Sequence, residues 1–223
     1  LLGVAAPARA EAIRVILSEF SRIMDHLVCI STNVVDLGAI TPFFVVFRAR
    51  EEIYDLLDSV CGARLTVSYV RIGGVAQDVP DDFDARCRKT LEWIREVADQ
   101  MENLLTRNAI FANRFKDVGV MSKEDALSYG WVGPCLRGSG IGYDVRKDHP
   151  YSGYDQYDFD VPVGTVGDCY DRYLVRVEEI KQSARIIEQA LAKFPKGDFI
   201  THDRKVALPP KSEVYSNIES LMN

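Results

Sequence analysis

The chain has 223 residues, of which 47% are hydrophobic and 27% are charged, so it can fold around a core and lies outside the disordered class. Its 27 basic and 33 acidic residues give a formal charge of -6, which argues against nucleic acid as a partner because phosphate binding needs a clustered positive excess. No apolar run approaches the roughly 20 residues that span a bilayer, so we expect no transmembrane segment.

The first predicted element is a long helix. Apolar residues recur at steps of three and four from Ile13 to Val34, which is the spacing of one helix face. The helix should begin near residues 7–9 and end at Asp36-Leu37-Gly38, where the glycine can adopt the left-handed closing conformation. We therefore expect a helix of about eight turns that ends at a carboxylate.

A second helix is predicted directly after this turn. Thr41 suits its N-cap, Pro42 its first turn and Gly62 its end, so residues 1–62 are assigned to a helical hairpin. Residues 63–82 alternate only weakly and contain a glycine pair, which indicates an irregular segment or a short strand.

The remaining elements follow from two further apolar stripes and the segment between them. Residues 83–129 are assigned to helices, which begin with the stripe that starts at Phe83 and include a short helix capped by Ser122. Residues 130–168 are rich in glycine and tyrosine, so we expect a long irregular loop that serves as an interaction surface. Residues 169–223 return to helices. The predicted fold is mainly α, with four long helices in a single domain that covers residues 1–223.

Asp36 is the first candidate for chemistry because it lies in an almost wholly apolar stretch. A negative charge in the last turn also opposes the helix dipole by ~0.3–1 kcal/mol, so something should compensate for it. One interpretation is a capping or ion-paired carboxylate that fixes the turn. The other is an acid that handles protons at a functional site.

The spacing of cysteine and histidine gives no local metal motif. The five cysteines include no C-x-x-C pair, and their odd number favours a reducing compartment. The three histidines are equally scattered, and His26 is interpreted as a helix-packing residue. Asp155, Asp158 and Asp160 alternate with aromatic residues and lack the order of a calcium loop. We therefore expect no metal bound by this segment alone.

Two arginines flank a glycine-rich string in the predicted loop. Gly138 and Gly140 lack the preceding strand and the following helix of a dinucleotide fingerprint, so a turn-rich loop is the better interpretation. Arg137 and Arg146 can clamp a carboxylate or a partner, although structural or solvated arginines are the default. Further along, Arg172 with Arg176 and Glu178 with Glu179 are interpreted as an ion-paired helix face.

Four strings resemble one known family, the 49 kDa subunit of NADH:quinone oxidoreductase, or respiratory complex I. They cover nearly the whole chain in order. The strings are RVILSEFSRIMDHL through DLGAITPFF (14–44), GARLTVSYVRIGGVAQDVP (62–80), LRGSGIGYDVR (136–146) and FDVPVGTVGDCYDRYLVRVEEIKQS (159–183). The resemblance implies that this chain is the central fragment of a longer polypeptide with a fold related to the [NiFe]-hydrogenase large subunit.

The resemblance also implies a function. The family's subunit lies in the peripheral arm of a proton-pumping enzyme, on the cytoplasmic face of the bacterial inner membrane or the matrix side of the mitochondrial one. With the neighbour that carries the terminal [4Fe-4S] cluster, it forms the quinone cavity, while NADH, FMN and the iron-sulfur clusters bind to other subunits. Asp36 matches the family aspartate beside the quinone-ligating histidine, and Thr32 matches a residue that lines the same region. That histidine and the ligating tyrosine fall before Leu1.

Two further expectations and two alternative functions complete the interpretation of the sequence. Arg137, Gly138, Gly140 and Arg146 are assigned to a loop that contacts another subunit, and the fragment alone is expected to be inactive. A membrane-bound [NiFe]-hydrogenase large subunit is the alternative within enzymes, since its C-x-x-C pairs would lie outside this segment. A non-catalytic helical scaffold is the alternative from another class.

Overall fold

The structure, a computed structural model, describes residues 3–203 and 206–222, which form a mainly helical fold as predicted. The helices are α1 (Ala8–Asp36), α2 (Thr41–Cys61), α3 (Phe83–Met101), α4 (Ala109–Phe115), α5 (Lys123–Ser128), α6 (Gly133–Gly138), α7 (Val145–Asp148), α8 (Cys169–Ala192), α9 (Lys211–Ser216) and α10 (Ile218–Met222). A π-helical turn, Glu102–Thr106, extends α3, and a single 3₁₀ turn lies at Tyr154–Gln156. None of the helices in the described ranges is long and apolar enough to cross a membrane.

The four long helices form the core because each has an apolar stripe. Helix α1 packs along both α8 and α2, and α2 packs along α3. Their stripes meet in one cluster of fully buried side chains that includes Ile16, Phe20, Ile53, Leu91 and Ile187. Burying an aliphatic or aromatic side chain of this size stabilises the fold by roughly 1.5–3 kcal/mol. Because such side chains occur along α1, its packing against α2 and α8 fixes the position of the helix and of its two ends.

The turn between α1 and α2 has the geometry that the sequence predicts at its glycine. Gly38 has φ +88, and the amides of Leu37 and Ala39 both donate to the carbonyl of Val34. Thr41 differs from the expectation, since it is the first residue of α2 rather than its N-cap, and no side chain caps that helix. Pro42 in the first turn removes one amide that would otherwise need a partner.

A small sheet occupies part of residues 63–82. Strands β1 (Val70–Arg71) and β2 (Gly74–Val75) pair antiparallel, and residues 199–201 lie against β2 through the hydrogen bonds from Val75 N to Phe199 O and from Thr201 N to Gly73 O. A Cβ added to Gly74 would lie 2.3 Å from Phe199 O, so only glycine permits this close approach.

The segment 130–168 is more regular than predicted. It contains α6, α7 and the 3₁₀ turn, each too short to produce a visible apolar period. Local chemistry explains the two helices, since Pro134 lies in the first turn of α6 and the Asp144 side chain accepts from the amide of Arg146 at the start of α7. Tyr154 and Phe159 pack with Val15 and Ile186 in a second apolar cluster. The segment is therefore anchored to the bundle.

Candidate functional site

The C-terminal end of α1 presents an exposed carboxylate. Asp36 is the last residue of the helix, its side chain is exposed, and it forms no ion pair or side-chain hydrogen bond with any of the described residues. Of the two interpretations of Asp36, the capping or ion-paired carboxylate therefore has no support among the described residues, and the acid that handles protons stays a prediction. The end of α1 is stabilised instead by Arg114 Nη1, which donates to the Leu37 carbonyl at 3.2 Å.

Thr32 lies one turn before Asp36 and is also exposed. Its hydroxyl donates to the carbonyl of Val28 at 2.9 Å, a bond within its own helix, so its methyl group and lone pairs remain free to face a neighbour. The structure thus places both sequence-predicted residues on the surface at the same end of α1.

The surface around Asp36 is apolar. Val35, Ile40 and Phe44 are 37%, 57% and 63% exposed, which is unusual for neighbouring large apolar side chains in a folded chain. We call these three residues with Thr32 and Asp36 the turn surface. A cavity of about 300 Å³ borders it, lined mainly by apolar groups of the α1–α2 turn, the π-helical turn and α4. The cavity is large enough for a small ring compound.

The two loop arginines lie elsewhere, inside the molecule. Arg137 is 4% exposed and Arg146 is 2% exposed, and both clamp carboxylates inside the chain, which is one of the two roles that the sequence suggested for them. Each guanidinium group has a carboxylate partner that is distant in the sequence, Glu179 for Arg137 and Glu19 for Arg146. Gly138 packs against α8, where an added Cβ would lie 2.7 Å from Arg172 Cγ, and Gly140 has φ +86. The assignment of this loop to a contact with another subunit stays a prediction.

These arginines belong to a buried polar network. Arg146 Nη1 donates to both oxygens of Glu19 at 3.1 and 3.0 Å, and its Nη2 donates to Asp144 at 2.7 Å. Tyr154 donates to Glu19 at 2.6 Å. Removing one member of such a buried pair costs ~3–5 kcal/mol because a charge is left without its partner. The network therefore fixes segment 130–168 against α1.

The network continues to α8 through Arg137. Its Nε donates to Glu179 Oε1 at 2.6 Å. His26 Nε2 lies 2.8 Å from Glu179 Oε2, which is within ion-pair distance, although the angle between the groups does not suit a hydrogen bond. His26 Nδ1 has no hydrogen-bond partner in the described ranges. His26 thus packs between helices as expected, whereas Glu179 is buried rather than part of a solvated helix face.

Neighbouring positive charges lower the pKa of two buried carboxylates, those of Glu179 and Asp144. Burial raises the pKa of Glu179, but its interactions with His26 and Arg137 outweigh burial and hold that pKa below its ordinary value. The pKa of Asp144 is lowered in the same way, with burial opposed by the hydrogen bonds and charge of Arg146. Burial beside the Glu19 carboxylate raises the pKa of Tyr154, so this hydroxyl stays protonated and donates.

The remaining acidic residues form no metal centre among the described residues. Asp158 and Asp160 both pair with Arg185 of α8, and the five cysteines are free thiols. The prediction that this segment binds no metal stays a prediction.

Comparison with known proteins identifies the family. The sequence model of the respiratory-chain NADH dehydrogenase 49 kDa subunit matches residues 36–223. The chain is 52% identical over 223 residues to the NADH-quinone oxidoreductase C/D subunit of Bdellovibrio bacteriovorus, and all of the chain aligns with 40% of that protein. The D subunit of Methylacidiphilum infernorum is 47% identical over 222 residues, and that of Myxococcus xanthus is 48% identical over 223; all of the chain aligns with 53% and 54% of these proteins. The chain spans about half the length of the curated relatives it matches.

Proposed function

The chain belongs to the family of the 49 kDa subunit of respiratory-chain NADH dehydrogenase, and from this membership we propose that it forms part of the quinone cavity of a proton-pumping NADH:quinone oxidoreductase. The turn surface is the part of the chain assigned to this cavity. In this proposal the rest of the bundle supports that surface.

One observation carries the proposal: Asp36 is a carboxylate on an exposed apolar surface, without a partner among the described residues. Large apolar side chains that remain exposed indicate a surface that another molecule covers. A carboxylate that is then enclosed among apolar groups gains a partner or takes up a proton, because burial disfavours its charged form. Both outcomes suit a group that handles protons.

The proposed role of Asp36 is proton transfer next to the quinone headgroup. Reduction of a quinone to a quinol takes up two electrons and two protons. In this proposal the histidine and tyrosine that bind the headgroup belong to a part of the full-length protein outside this segment. Asp36 would hold that histidine in the protonated form and return a proton to it after each transfer. Thr32, on the same side of the helix end, would line the cavity.

The partners follow from the same proposal. Electrons reach the quinone from the terminal [4Fe-4S] cluster of a neighbouring subunit, and NADH and FMN bind to more distant subunits, so this segment holds none of these groups alone. The segment would lie in the peripheral arm at the cytoplasmic face of the bacterial inner membrane or the matrix side of the mitochondrial one. By itself it would be inactive, because it lacks the headgroup ligands.

Replacing Asp36 with Asn in the intact complex tests the proposal. We expect quinone turnover to fall by about tenfold or more, since a positioned proton donor contributes ~10²–10⁴-fold, while NADH oxidation with an artificial acceptor is unchanged. The measurement is the ratio of the two rates in the same membrane preparation.

Asp25 provides a matched control, because it is another exposed aspartate on α1, about three turns earlier. Its replacement by Asn should leave both rates unchanged. Unchanged quinone turnover in Asp36→Asn, or an equal loss in Asp25→Asn, contradicts the proposed role.

The alternatives make different demands on the complete protein. If the protein were a [NiFe]-hydrogenase large subunit, the complete sequence would contain two C-x-x-C pairs, outside this segment, to bind the nickel. A scaffold without a catalytic role would tolerate Asp36→Asn. The carboxylate on the apolar turn surface favours the quinone cavity over both.

A further inference from the structure

A second cavity, of about 180 Å³, lies between α1, α4, α6 and the start of α8. It is unusual in bringing together three of the five thiols, those of Cys29, Cys135 and Cys169, with the side chains of Arg172 and Arg176. These cysteines are at least 34 residues apart in sequence, so only the fold makes them neighbours. Cys87, in contrast, is fully buried in the core, where burial raises the pKa of its thiol.

The two arginines of this cavity have no acidic partner among the described residues. Arg172 donates through Nη1 to the carbonyl of Gly167 at 2.8 Å and through Nη2 to that of Gly119 at 2.9 Å. Arg176 Nη1 donates to the carbonyl of Arg172 at 3.1 Å. Carbonyl groups satisfy hydrogen bonds but do not neutralise two positive charges. The cavity wall therefore carries a positive charge, and none of the lining residues from α1, α4 or α6 is an acid that could compensate for it.

The acidic residues at the start of α8 are engaged elsewhere. Asp168 accepts from the amides of Asp117 and Asp171 at 2.9 and 2.7 Å. Asp171 accepts from three successive amides, those of residues 165–167. These carboxylates cap the helix and hold the preceding turn, so they are not held against the guanidinium groups of the cavity.

Each guanidinium group contacts a sulfur instead. Arg172 Nη2 lies 3.1 Å from Cys169 Sγ, and Arg176 Nη2 lies 3.5 Å from Cys135 Sγ. The third thiol, Cys29, accepts from Asn33 Nδ2 at 3.5 Å. Thiolates are the reactive form of cysteine, and a neighbouring cation is the common feature of reactive cysteine sites. The sulfurs do not form a metal-ligand cluster among the described residues.

We propose that this cavity is a thiol-modification site for small anionic disulfides, in which Arg172 and Arg176 attract the negative groups and Cys135 or Cys169 is the sulfur that exchanges. The thiol first loses its proton to solvent. Its sulfur then attacks one sulfur of the disulfide, the disulfide bond breaks, and one half of the reagent leaves as a thiolate. The cysteine is oxidised to a mixed disulfide, and the released half of the reagent is reduced. The same exchange with excess free thiol reverses the modification.

The test compares two disulfides on the intact complex. One is the dianionic disulfide of thionitrobenzoate and the other is the uncharged disulfide of thiopyridine. Mass spectrometry of peptides measures the rate at which each cysteine is modified. Cys61 is the internal control, since it is similarly half-buried but its thiol is hydrogen-bonded to the carbonyls of Leu57 and Ala63 rather than to an arginine.

We expect the ratio of anionic to uncharged reaction rates at Cys135 or Cys169 to exceed that at Cys61 by about tenfold or more. The preference should shrink in ~1 M salt, where the screening length is ~3 Å. Arg176→Gln should lower the ratio for Cys135 toward that of Cys61, with the remaining preference due to Arg172, and the salt series tests the same point without a variant. Equal ratios at all three cysteines, or no reaction at either cavity cysteine, overturn the proposal.

Discussion

At the scale of single residues, the molecule separates two kinds of carboxylate. Asp36 is exposed and has no partner in the described chain, whereas Glu19, Asp144 and Glu179 are almost completely buried and each contacts an arginine. Buried and ion-paired acids hold elements together, and changing them disturbs the fold. An exposed acid on an apolar surface can be changed without that cost, so a loss of activity at Asp36 is interpretable as a loss of function.

The buried network predicts how stability depends on pH. The pKa of Glu179 lies below its ordinary value of 4.5, so the folded chain favours the ionised form more than the unfolded chain does. This stabilisation is present above pH 4.5 and is lost as the pH falls through the folded-state pKa. Glu179→Gln should therefore give a shallower decrease in unfolding free energy below pH 4.5, by at most ~1.4 kcal/mol per pH unit for one proton.

Urea unfolding at a series of pH values measures this slope. Glu178→Gln is the control, because Glu178 is half-buried and pairs with Lys181 at the surface at 3.3 Å. The control should keep the slope of the unaltered chain. Identical slopes for both variants would mean that Glu179 is not held ionised by its neighbours.

The role of a single residue could be predicted only where its neighbours in the sequence determine that role. The apolar neighbours of Asp36 marked it as a candidate, but they did not predict that its carboxylate is exposed or that it lacks a partner in the described chain. The buried pairs join residues as far apart as Glu19 and Arg146, and no spacing rule reaches that distance. A signal did exist at Glu19, because it lies on the apolar stripe between Ile16 and Ile23, where a charge needs a buried partner.

At the scale of elements, the long helices follow from periodicity and the short ones do not. Helix α1 ends at Asp36 and α2 ends before Gly62, as their apolar stripes and closing glycines predict. Helices α6 and α7 have six and four residues, too few to repeat a helical period, so segment 130–168 resembled a loop in sequence. The contact of residues 199–201 with β2 was not predictable either, because it is a pairing between distant parts of the chain.

That contact gives a prediction for Gly74. Replacement by Ala places a Cβ 2.3 Å from Phe199 O and 2.6 Å from Ile200 Cα, both backbone atoms that cannot move independently. We expect a loss of ~1–3 kcal/mol of unfolding free energy and faster hydrogen exchange at the amides of Val75 and Thr201. Gly142→Ala is the control, since its nearest contact is an ordinary 3.5 Å, and it should change stability by less than ~0.5 kcal/mol. Unchanged exchange in Gly74→Ala would show that residues 199–201 do not pack on β2.

At the scale of the whole molecule, the bundle has a covered interior, and the end where α1 meets α2 is one of the places where large apolar side chains are exposed. The four long helices bury a continuous core, while Ile40 and Phe44 stay more than half exposed beside Asp36. The chain spans about half the length of its relatives, so the proposed cavity requires chain that lies outside this segment as well as the neighbouring subunit. Family membership supports the proposed assembly, and the exposed turn surface is the part of this chain that we propose to face the quinone.

Photoaffinity labelling of the intact complex tests whether the turn surface lines the quinone cavity. A quinone that carries a photoreactive azide on its headgroup is bound and illuminated, and the labelled peptides are identified by mass spectrometry. We expect label within residues 32–44, which contain the turn surface, and loss of that label when excess unmodified quinone competes. Label that quinone displaces at other positions of the complex, with none within residues 32–44, would contradict it.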